Sequence, residues 1–168
     1  MSLPEQLLEQ ARHLATRERK KPRQASLRRA ISTAYYALFH FLIAEGTLNW
    51  KRVEQRPLLA RLFEHGKMKA ASEKQRGECD RLLNARPISL SKAHLDATRG
   101  LREVAETFVR MQQNRHSADY DNSKGWARLE VIDLIARTES ALRSWHNIRE
   151  EPQAQSYLIS LLGSPKGA

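Results

Sequence analysis

Apolar residues recur at helical spacing along nearly the whole chain and nowhere alternate for long with a period of two. Ile31, Ala34, Tyr35, Leu38 and Leu42 return to one face of a helix that turns about 100° per residue, and Tyr36, Phe39 and Ile43 widen that face. A helix apolar over so much of its circumference belongs at the centre of a bundle. The seven glycines and six prolines fall between the periodic segments or at their ends. No window supports a sheet. The predicted fold class is therefore all-α, an up-and-down bundle of four or five helices.

The first helix is predicted to start near Ser2, with Pro4 in its first turn and Leu3, Leu7, Leu8, Ala11, Leu14 and Ala15 on one face. It dissolves into the basic connector "TRERKKPRQ". The second runs from about Gln24 to Glu45, with Gly46 as its stop. "RPLLARLFEHGKM" reads as a short helix that breaks at Gly66, with His65 as a C-terminal residue favoured by the helix dipole. A polar helix follows from Lys67 to Leu83, then the loop "NARPISLS", with Ser91 as the next cap. The fourth main helix carries Leu101, Val104, Phe108 and Met111 on one stripe. The fifth runs from about Ser123 to Ile148, its stripe being Val131, Leu134, Ile135, Thr138, Leu142 and Trp145. The predicted organisation is a bundle over residues 1–150, then a short helix after Pro152 and a frayed tail over 151–168.

Several function classes find no support. P-loop, dinucleotide-binding, zinc-protease and EF-hand patterns are absent, and the six histidines have no metal-ligand spacing, so neither metal nor cofactor is expected. A single cysteine, Cys79, lies in a polar helix without an obvious histidine partner, which argues against a thiol nucleophile and fits a reducing cytoplasm. "MSLPEQLLEQARHLATRERKK" contains acidic residues and no continuous apolar run, so no signal peptide is expected, and no window approaches the length of a membrane span. The charge is more informative. Twenty-nine Lys and Arg against 19 Asp and Glu leave a formal +10, a balance suited to RNA, DNA or an acidic protein. The cluster Arg19, Lys20, Lys21, Arg28 and Arg29 reads either as a solvated basic face or as an RNA footprint.

The stretch "NRHSADYDNS", Asn114 to Ser123, closes the fourth main helix. Arg115 lies eleven residues after Val104, which returns it to within about 20° of the apolar stripe. A guanidinium there needs partners, and Asp119 is one turn on along the same face. One reading is an internal Arg–Asp clamp. The other is a phosphate-binding arginine beside a proton-transferring His116. Arg110 and His116 would point about 120° apart on an unbroken helix, so they converge only if the helix loosens near Asn114 or the site spans two subunits. Tyr35, Tyr36, Phe39 and His40 read as core.

"LRRAISTAYYALFHFLIAEG" resembles the second helix of the HEPN domain family, "FEHGKMKAAS" is similar to the His-Gly or His-Ser break after it, and "NRHSADYD" resembles the Arg-plus-Asp-Tyr end of the long fourth helix. The resemblance extends over about Leu3 to Ile148. It implies a HEPN-like bundle, usually a homodimer, associated with RNA. Many members are metal-independent endoribonucleases of toxin–antitoxin or defence systems, some beside a nucleotidyltransferase that silences them. Arg110 and His116, with five residues between them, satisfy the loose Arg-to-His motif of the family. Its stricter form, counted back from Tyr120, meets Ala118 and Gln113 instead of His and Arg. Arg115, Asp119 and Tyr120 match the small branch with the Ala-Asp-Tyr ending. The resemblance thus implies an RNA-associated protein, with Arg110, Arg115, His116, Asp119 and Tyr120 as its candidate catalytic set. The competing expectation is a non-catalytic module that binds a nucleotidyltransferase, an antitoxin or another protein. A membrane-surface role is disfavoured, because the basic residues do not line a strongly amphipathic exposed helix.

Overall fold

A computed structural model of the chain describes residues 1–85 and 90–163. Among these, seven α-helices and no strand are found: α1 (Leu3–Thr16), α2 (Gln24–Leu48), α3 (Arg56–Ala60), α4 (His65–Ala85), α5 (Lys92–Tyr120), α6 (Arg128–Ile148) and α7 (Pro152–Ser160). A single 3-10 turn, Val53–Gln55, precedes α3. Part of the loop "NARPISLS" and the whole tail after Gly163 lie outside the described residues.

Helix α2 is the hub, packing against α1, α5 and α6, while α5 also packs against α4 and α6. The predicted stripes form the core. Ile31, Ala34, Tyr35, Leu38 and Leu42 of α2, and Leu101, Val104, Phe108 and Met111 of α5, are all fully buried. Two caps are where the sequence places them. The Ser2 amide donates to the Glu5 carboxylate at 2.7 Å, which holds that carboxyl below its usual range. The Ser91 hydroxyl accepts from the His94 amide at 3.2 Å.

Three helix boundaries differ from expectation. Helix α2 does not stop at Gly46 but continues to Leu48. Gly46 is there because Phe63 presses on it: a Cβ would stand 2.8 Å from the ring's Cζ. Gly46→Ala is therefore expected to destabilise the fold despite the better helix former, by up to about 2 kcal/mol, because overpacking exceeds the propensity gain. A thermal melt of Gly46→Ala at or above wild type would contradict that reading. Likewise, the break expected at Gly66 comes earlier, between Ala60 and His65, so His65 opens α4 instead of closing α3.

Helix α6 starts at Arg128, not near Ser123. The Asp121 carboxylate takes the Ser123 amide at 2.9 Å and its hydroxyl at 2.6 Å, a local turn that competes with helix. The buried Trp126 then docks on α2, exchanging backbone hydrogen bonds with the Gln24 side chain. Finally, α7 belongs to the bundle. Ala154, Tyr157 and Leu161 are fully buried, and Tyr157 shares a 2.8 Å hydrogen bond with Ser72 of α4.

Candidate nucleic-acid interface

Three chain segments meet at one end of the bundle: the connector between α1 and α2, the last turns of α5, and the loop from α5 to α6. Arg28 of α2 ties them. Its guanidinium donates to the carbonyl of Ala118 in the last turn of α5 and to those of Asp121 and Lys124 just beyond it, at 2.8, 3.0 and 2.6 Å. Of the five cations expected to meet RNA, Arg28 is thus taken up by the fold. Arg19, Lys20, Lys21 and Arg29 are exposed, with no ion-pair partner among the described residues. The carbonyls of Glu18 and Arg19 accept from Arg128 of α6, which holds the basic connector beside the α5–α6 loop.

The helix itself is unbroken through Asn114 to Tyr120. Arg110 and His116 therefore do not converge within one chain. Arg110 lies over the groove between α5 and α6 with Glu103, Glu106, Arg137 and Ser140, whereas His116 is exposed beside Tyr120, ring centres 5.0 Å apart. The helix does not loosen at Asn114, whose side-chain amide donates to the Arg110 carbonyl at 2.8 Å.

Arg115 and Asp119 do pair, Nε to Oδ2 at 2.9 Å, though the N–H points off that line and the contact is ionic. The clamp has more members than the helix shows. The buried Ser32 hydroxyl of α2 donates to the other Asp119 oxygen at 2.5 Å, and Arg115 Nη2 donates to the Tyr36 hydroxyl at 3.0 Å. Its guanidinium lies 5.6 Å from the centre of the Tyr36 ring and 5.8 Å from that of Tyr120. Burial works against the Arg115 charge, but the Tyr36 and Asp119 oxygens outweigh it and raise its pKa.

Sequence reasoning missed the other wall of this cluster. His65, read as a helix end, brings Nδ1 to 2.6 Å from the Tyr35 hydroxyl and stacks on Phe39 with centres 4.1 Å apart. His40 stacks on Tyr36 at 6.2 Å. Burial, reinforced by the charges of Arg115 and His40, holds His65 below the ordinary imidazole range, and burial does the same to His40. The faint signal was spacing: Arg29, Ser32, Thr33, Tyr36 and His40 repeat at helical intervals and line one groove of about 330 Å³ against Leu3, Leu7 and Gln10 of α1.

The adjacent residues Arg115 and His116 should behave differently. Arg115→Ala strips Asp119 of its ion pair and Tyr36 of its donor. With the pair about a quarter exposed, the expected loss is about 1–3 kcal/mol, between surface and buried values. His116→Ala, at an exposed position beside Tyr120, should melt within about 0.5 kcal/mol of wild type. Equal losses from the two would show that Arg115 is no clamp.

No protein-family model, curated protein or solved structure matches this chain. No described helix is long and apolar enough to cross a membrane.

Proposed function

We propose that this chain is an RNA-associated protein of the HEPN kind whose contact surface is the bundle end around Arg115. The observation that carries the reading is the gathering of Arg19, Lys20, Lys21 and Arg29, exposed and without an ion-pair partner among the described residues, at the end where Arg115, His116 and Tyr120 also lie. Unneutralised cations favour a polyanion, and exposed aromatic rings favour unstacked bases. The +10 charge of the whole chain points the same way.

Metal-independent cleavage of RNA is the activity this surface would support, with His116 moving the proton of a ribose 2′-hydroxyl or of the leaving oxygen. Within one chain Arg110 faces elsewhere, so the phosphate charge would fall to Arg115 or to an arginine of a second copy. Filter binding and gel assays of RNA without divalent metal test both steps. Cutting should vanish in His116→Ala while binding persists. RNA that is never retained at low salt would remove the reading, and RNA retained but never cut would reduce it to binding alone.

A second reading has its own observation. The broad apolar faces of α2 and α5 are filled within the chain: Leu38, Leu42, Leu101 and Phe108 are fully buried. Among the apolar residues left exposed, Leu48, Trp50, Val53, Leu58 and Leu62, each more than two-fifths exposed, fall in one segment. Such a run favours an interaction module that meets a protein, whether a nucleotidyltransferase, an antitoxin or a second copy. Light scattering of wild type and Leu58→Glu at micromolar concentration separates self-association from the monomer.

A further inference from the structure

We propose that His65, oriented by Tyr35, joins Arg115 in a binding site for a phosphate oxygen. The orientation comes first. Tyr35 is fully buried, and its hydroxyl has one hydrogen-bond partner among the described residues, His65 Nδ1 at 2.6 Å. The buried hydroxyl proton has no other acceptor among the described residues, so Tyr35 donates and Nδ1 accepts. The imidazole proton is then on Nε2. Stacking on Phe39, at 22° between planes, fixes the ring against rotation. His65 is also the first residue of α4, where the positive end of a helix disfavours a second positive charge. The result is a neutral imidazole with a fixed N–H donor.

Arg115 supplies the charge. Its Nε faces Asp119 and its Nη2 bonds Tyr36, while Nη1 has no hydrogen-bond acceptor among the described residues. Both groups lie against the same two rings: Tyr36 is 6.0 Å from the His65 ring and 5.6 Å from the guanidinium carbon, and Tyr35 is 5.6 and 6.0 Å from them. A guanidinium with open N–H groups beside a neutral imidazole donor suits an oxygen that carries partial negative charge and has several lone pairs. A phosphate provides it, either free or in an RNA backbone. In the RNA form the inference rests on the function proposed above; with free phosphate it does not.

Long-range nitrogen–proton NMR of the histidine rings in the full chain tests it, with inorganic phosphate and a uridine hexanucleotide as separate probes and chloride as the control. Wild-type His65 is expected to carry its proton on Nε2, and both probes should move its ring signals together with Arg115 Nε. Tyr35→Phe should keep its melting temperature within a few degrees, mix the His65 tautomers and weaken phosphate binding about fivefold, the effect of one hydrogen bond. His65→Gln, which still offers an N–H, should retain part of the binding that His65→Ala loses. A proton on Nδ1 in the wild type overturns the proposal, as does phosphate binding that leaves His65 unmoved. Phosphate that moves His65 while the hexanucleotide does not bind upholds the site and removes the RNA reading. RNA that binds without moving His65 does the reverse.

Discussion

Replacing Trp145 by alanine is expected to cost about 3–5 kcal/mol, the usual penalty for emptying a fully buried aromatic site. Trp145 is fully buried on α6, its ring centre 6.2 Å from that of Tyr157 on α7. Its indole N–H also donates to Glu45 of α2 at 2.7 Å, a carboxylate that Arg149 reaches at 3.1 Å. Glu45 is itself buried, so losing the indole removes the hydrogen bond to Oε2 and leaves that oxygen to Arg149 alone. A domain of this size would melt roughly 6–20 °C lower, at about 2–4 °C per kcal/mol. Trp145→Phe separates the terms: it keeps most of the volume and loses only the N–H, so it should cost about 1–3 kcal/mol. Denaturant melts that placed Trp145→Ala within 1 kcal/mol of wild type, in the order-of-magnitude sense used for core truncations, would mean that α6 and α7 do not pack as described.

Reversing Arg19, Lys20 and Lys21 together to glutamate should weaken RNA binding by at least about 100-fold at low salt. The three are exposed and make no ion pair among the described residues, so their removal breaks nothing in the fold. The melting temperature should therefore stay near that of wild type. Counterion release predicts more than a lower affinity. If each cation neutralises one phosphate of a single strand, the slope of log affinity against log salt should become shallower by about 2. An affinity loss with an unchanged slope would place the contact elsewhere on the surface. No loss at all would move the RNA surface away from the connector and favour the protein-facing run from Leu48 to Leu62.

The sequence determined the helices and their inward faces. Stripes such as Val104, Phe108 and Met111 are properties of one helix, and a 3.6-residue period shows them without a partner. The Arg115–Asp119 pair was legible for the same reason, since residues four apart share a face wherever the helix is placed. Tertiary structure decided what those faces meet. Ser32 reaches Asp119 across 87 positions, Arg28 reaches the end of α5 across about 90, and Tyr35 meets His65 across 30. No local period encodes such pairings, because rotating one helix against another leaves each helix's own pattern unchanged. The same limit explains Gly46 and His65. Each sits where a helix end was plausible from local signals, and packing moved the ends: Phe63 pressed on a glycine inside α2, and Tyr35 gave His65 a partner at the start of α4. Helix termini are decided by a few hydrogen bonds of modest net energy, so a buried ring or a hydrogen bond from a distant helix is enough to shift them.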